Sequence, residues 1–210
     1  WGRMEFGNIG NYYIIEPFFH ELRRTFPKAN IRTTMQMSKI FCRNYQISCL
    51  PMELYYAWRS NELELAKKEL LISQEIMNTG SSAEFTPYIN AVRWSDLVID
   101  FSGDIWGDNA NLLGKDRFEV GLIKDKIAQN IGKRTAMLAG SPGPFSDLKT
   151  EALAKDIYAK FDLVTNREPI STSLLAKKGF DTKKTKDLAC PAFLFKSEKP
   201  TKINELLKHK

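Results

Sequence analysis

The chain has 210 residues, 43% of them hydrophobic and 27% charged, which suits one ordinary domain with a core and excludes a disulfide miniprotein, a collagen-like fibre and a disordered tail. Lys+Arg 31 against Asp+Glu 25 gives a net charge of +6, spread along the chain, so an anionic ligand is expected and nucleic acid is not. Three cysteines (Cys42, Cys49, Cys190) and two histidines (His20, His209) lack metal spacing, so no metal site and no disulfide are expected.

Residues 6–10 read as a turn, followed by a helix with Ile15, Phe18, Phe19, Leu22 and Phe26 on one face. Residues 29–37 alternate as a strand, and residues 38–94 show no convincing strand. Asn61 and Glu64 resemble a capping box that opens a helix through Leu63, Ala66, Leu70 and Met77. A loop over residues 79–86 leads to a short helix ending at Trp94. Residues 96–101 form an apolar run typical of a buried parallel strand. A Gly-rich loop then opens a helix with Val120, Ile123, Ile127 and Ile131 inward. Residues 134–139 predict the next strand, stopped by Gly140-Ser-Pro-Gly-Pro144. Ser146 or Asp147 caps a helix carrying Leu153, Ile157 and Phe161. Short strands at 161–165 and 184–188 flank a helix from Pro169 that Gly179 stops. Strand, loop and helix recurring in this way predict an α/β fold, Rossmann-like, with a mainly parallel sheet and helices on both faces.

In such sheets ligands bind beyond the carboxyl ends of the strands. Four loops fall there: residues 7–11, 102–108, 140–144 and 166–171. Their glycines admit close backbone approach, and Arg167 has the planar fork that grips a carboxylate or phosphate. The same residues have plainer uses. Asp104 and Asp108 are spaced like a metal or acid/base pair, yet such a pair more often makes a turn and a cap. Glu168 caps a helix, Ser171 back-bonds in the same turn, and Trp106 either stacks on a sugar or covers the strand end. His20 reads as structural, and the cysteines as core fillers.

Taken together and in order, the loops resemble the polysaccharide pyruvyl transferase family. The resemblance is carried by Gly7-Asn8-Ile9-Gly10-Asn11, Ser102-Gly103-Asp104 through Asp108, Gly140-Ser-Pro-Gly143-Pro144, Arg167-Glu168-x-x-Ser171 and Cys190-Pro-Ala-Phe193. It implies one half of an architecture like that of the GT-B glycosyltransferases, with a pyruvyl group moving from phosphoenolpyruvate to a saccharide hydroxyl in cell-surface polysaccharide biosynthesis. By that resemblance Gly7, Asn8, Gly10, Asn11, Gly103, Asp104, Asp108, Gly140, Gly143, Arg167, Glu168 and Ser171 bind substrate, no cofactor is needed, and no catalytic residue is assigned. Asn11 stands where the family has Asp, one glycine remains of a run at Gly103, and Cys190 replaces a common Asp. These departures leave open a divergent acceptor or a decayed activity. The alternative is a GT-B-type glycosyltransferase or a non-catalytic glycan- or nucleotide-sugar-binding module.

The expected organisation is a Rossmann-like domain over residues 1–195, with a helical, insertion-like stretch at 38–90 and a helical linker at 196–210. The opening at Trp1 and the closing helical pattern of Ile203, Leu206 and Leu207 read as cuts in a longer protein, so turnover by this half alone is not expected. No run has the length of a membrane span and no signal peptide is seen, which predicts a cytoplasmic protein. Peripheral association through a lipid-linked acceptor is compatible with that reading.

Overall fold

The computed structural model describes residues 9–51, 54, 61–112 and 114–196. Gly7, Asn8 and the expected linker from residue 197 onward lie outside them.

The first helix, α1, runs Ile9–Thr25 with Pro17 inside it. Gly10 and Asn11 therefore sit in its first turn rather than in a preceding loop. Strand β1 (Ile31–Thr33) crosses through α2 (Lys39–Tyr45) to β2 (Ile47–Cys49), and the two strands pair in parallel. Ser38 opens α2 by accepting the Phe41 N–H at 3.1 Å. β2 corrects the reading of residues 38–94 as strandless. Three residues are too few for period-two alternation to show, and β1 supplies the pairing that defines the strand.

Helix α3 (Glu62–Thr79) follows Asn61, whose side chain makes no capping bond, so the expected capping box is not formed. Helix α4 (Pro87–Trp94) is capped by Thr86, which accepts the Ile89 N–H at 3.2 Å and donates to Glu69 on α3 at 2.6 Å. Then comes a four-stranded sheet, all parallel and in chain order. It contains β3 (Leu97–Asp100), β4 (Arg134–Gly140), β5 (Leu163–Asn166) and β6 (Thr185–Asp187). The crossovers are α5 (Arg117–Asn130), α6 (Leu148–Lys160, capped by Asp147) and α7 (Pro169–Lys177). The fold is α/β and Rossmann-like.

Helix α5 is buried on two sides, because it separates two cores. Phe118 and Leu122 join Met137, Val164 and the aromatic group of Trp106, Phe145, Tyr158 and Phe161. Val120, Ile123 and Ile127 pack with Ala66, Ile72 and Ile89 from α3 and α4. A third cluster sets Ile15 and Phe19 of α1 on Phe41 and Ile47, and Phe18 stacks on Phe101 just past β3. β3 is an edge strand rather than a fully enclosed one, and its Leu97 is 42% exposed. The apolar run was the right signal for a strand, but the four-stranded sheet ends there.

Candidate functional site

The edge of β3 faces β1 across a cavity of about 1000 Å³. Helix α1 lends it apolar side chains such as Ile15, Phe18 and Phe19, β1 adds Arg32 and Thr33 beside Ile31, and the residues around the carboxyl end of β3 give it a polar wall. Asn11, Gly103, Asp104 and Arg167 line it, whereas Gly10, Asp108, Gly140, Gly143, Glu168 and Ser171 do not.

Arg167 follows β5, and its backbone N–H is fixed on the Gly140 carbonyl at 2.9 Å. Its side chain is 24% exposed and lies close to Gly103, where a Cβ would stand 3.9 Å from Nη1. Nη2 is 4.0 Å from the exposed carboxylate of Asp104, too long for a hydrogen bond. Among the described residues the guanidinium donates no other bond, which leaves its planar fork available to a carboxylate or phosphate in the cavity.

The remaining expected residues among those described tie the neighbouring loops to one another. The 140–146 loop is tied to residues 103–108: Ser141 N–H donates to the Gly103 carbonyl at 3.1 Å, Gly143 N–H to Trp106 at 2.9 Å, and Asp108 N–H to Pro144 at 2.9 Å. The Asp108 carboxylate accepts the Ser146 N–H at 2.6 Å. Asp104 and Asp108 therefore do separate things, and two amides of the Gly-rich turn are engaged within the protein. Glu168 caps α7 by accepting the Ser171 N–H at 2.9 Å; it also accepts the Ser171 hydroxyl and, at 3.2 Å, that of Ser141. Burial works against the charge of Glu168, but these bonds prevail and hold its carboxyl below the usual range.

Trp106 takes the covering role, not the sugar-stacking one. It is 3% exposed among aromatic rings, and its indole N–H donates to Asp125 at 3.2 Å. His20 is exposed and meets Glu21 at 3.2 Å, off the core stripe. Cys42 and Cys49 are free and partly buried, with sulfurs 3.5 Å apart.

A feature the sequence does not reveal is the carboxyl pair of Asp100, the last residue of β3, and Asp125 of α5. Both line the cavity. Asp100 accepts the Ser102 N–H at 2.7 Å, Asp125 accepts from Trp106, and the two carboxyl groups lie close enough to influence each other's charge. Burial raises both groups above the usual carboxylate range, and the neighbouring Asp100 charge raises Asp125 further. The pair therefore holds a proton well past the pH at which an exposed aspartate releases one.

The family model described as polysaccharide pyruvyl transferase matches residues 8–210. No curated protein and no solved structure matches the chain.

Proposed function

Because the chain belongs to the polysaccharide pyruvyl transferase family, we propose that it transfers the pyruvyl group of phosphoenolpyruvate to a saccharide hydroxyl during cell-surface polysaccharide synthesis. The observation that carries the choice of donor is Arg167, a half-buried guanidinium at the polar wall of the cavity with no hydrogen-bonded partner among the described residues. Phosphoenolpyruvate is a small dianionic-to-trianionic ligand, and a planar fork binds its carboxylate or phosphate through two parallel bonds. Asp104 at 4.0 Å keeps the fork oriented without occupying it. Asn11, from the first turn of α1, lines the same cavity. Gly103, Gly140 and Gly143 serve by letting the loops approach closely, and Asp108, Glu168 and Ser171 by holding those loops in place.

The test is acceptor-dependent phosphate release from phosphoenolpyruvate by the full-length protein, with galactose-, mannose- and N-acetylmannosamine-containing acceptors. Arg167→Ala should lower kcat/KM by roughly two orders of magnitude, the scale for removing one preorganised charge-stabilising donor. Arg167→Lys should recover only part, since an ammonium cannot form the fork. Wild-type kinetics in Arg167→Ala would remove the arginine from the site, and binding of phosphoenolpyruvate with no release on any acceptor would favour a binding module.

A further inference from the structure

We propose that the cavity between β1 and β3 takes one more parallel strand of this protein, supplied by the segment before Ile9, which joins the two sheets into one. The inference goes beyond the pyruvyl-transfer reading and does not depend on the identity of the donor.

Two open strand edges define the slot. β1 bonds to β2 and β3 to β4, and among the described residues neither has a partner on its other side. Every residue of Ile31–Thr33 and of Leu97–Asp100 lines the cavity, so it runs the length of both strands. β1 comes close to the amino end of β3, since the Arg32 guanidinium lies 3.7 Å over the ring of Trp94, which precedes β3. An open edge presents amide and carbonyl groups that need partners, and another strand supplies them.

The helices identify the occupant. β1, β3, β4 and β5 each cross to the next strand through a helix, namely α2, α5, α6 and α7. Helix α1 is placed like them, with no strand before it among the described residues. Its first turns pack on the residues that follow the carboxyl end of β6, with the rings of Tyr13 and Phe195 4.5 Å apart. Its last turn leads to β1 and is tied to that connection by Arg23, which donates to the Ala29 carbonyl at 2.9 Å. A helix that starts at the carboxyl side and delivers the chain to a parallel strand is the second half of a strand–helix–strand crossover. The first half belongs between β1 and β3, which gives the strand order of a doubly wound sheet.

Right-handed crossovers that move in opposite directions put α1 on one face of that sheet and α5 on the other. Alternate residues of the added strand then meet Ile15, Phe18 and Phe19 of α1 and are apolar, while those between them face Gly121 and Lys124 of α5. The strand order reverses between the added strand and β3, and ligands of such sheets bind outside the carboxyl ends at that point. The strand fills the length of the cavity and leaves the mouth, with Gly103, Asp104 and Arg167, to the ligand.

The experiment is nuclear magnetic resonance on the deuterated full-length protein, reading amide exchange and amide–amide Overhauser contacts at residues 31–33 and 97–100. The amides that point away from β2 and β4 should exchange about a hundredfold or more slower than those of a free edge, because a central strand opens only with much of the fold. Both strands should show contacts to one stretch of the segment before Ile9. Fast exchange at both edges overturns the proposal, as do contacts directly between β1 and β3. Protection by any other segment, or by a second copy that leaves on dilution, also overturns it. Phosphate release from phosphoenolpyruvate is measured separately, so either reading can fail without the other.

Discussion

Two residues show how little chemical difference separates scaffold from site. Gly107 is a scaffold position: a Cβ there would stand 2.6 Å from the Gly143 carbonyl carbon, so the 103–108 and 140–146 loops approach as they do only because the side chain is absent. Gly107→Ala should destabilise the fold by roughly 1–3 kcal/mol, the cost of overpacking a fitted contact, read as a lower urea midpoint with an unchanged slope. An unchanged midpoint would mean that the loops separate freely. Cys42 is a second informative residue. Burial, and then its neighbour Cys49, push its thiol up to about 11. Thiolate is therefore scarce at neutral pH, and alkylation of Cys42 by iodoacetamide should stay slow until the pH approaches that value. Rapid alkylation at pH 7 would contradict the burial that causes the shift.

Among the elements, α5 does the most to position the site. Its two apolar faces serve two cores, and the polar residues Arg117, Lys124 and Asp125 reach the cavity from the same helix. The α3–α4 layer is held on α5 partly by Thr86, which caps α4 and donates to Glu69. Thr86→Ala should cost about 1 kcal/mol in chemical denaturation, the usual loss for a helix cap. Burial raises Glu69 above its ordinary value, and this outweighs the Thr86 bond and the attraction of Lys124. A carboxyl raised in the folded state stabilises it while protonated, and that contribution is lost as pH rises through the raised value. Glu69→Gln should therefore flatten the fall in stability from pH 4.5 upward; an identical pH profile would show that the group is not desolvated.

Sequence periodicity revealed those elements that carry a repeating apolar face. The helix bearing Val120, Ile123 and Ile127, the cap at Asp147 and the strand before Gly140 were legible because their signals are local. β2 was not, since a three-residue strand exists only through its partner. The Asp100–Asp125 pair was hidden for a related reason. Twenty-five positions separate the two, and only the crossover from β3 to α5 brings them together, whereas the nearer Asp104 and Asp108 look like a pair and act apart. Arg167 was legible as a residue type at a strand end. Its lack of a hydrogen-bonded partner among the described residues required coordinates.

At the scale of the whole molecule, two parallel sheets flank one cavity, lined by apolar side chains of α1 and by the polar groups of Asn11, Asp100, Asp125 and Arg167. Among the described residues, no helix is long and apolar enough to cross a membrane. A ligand that suits this cavity has an anionic end for Arg167. The most direct measurement is calorimetric titration of the chain with phosphoenolpyruvate, repeated with Arg167→Ala. Saturable one-to-one binding that weakens about tenfold or more in the variant is the expected result, the scale of a lost charged hydrogen-bonding partner. Binding of equal strength in both proteins, or none in either, would contradict the assignment of this cavity to the pyruvyl donor.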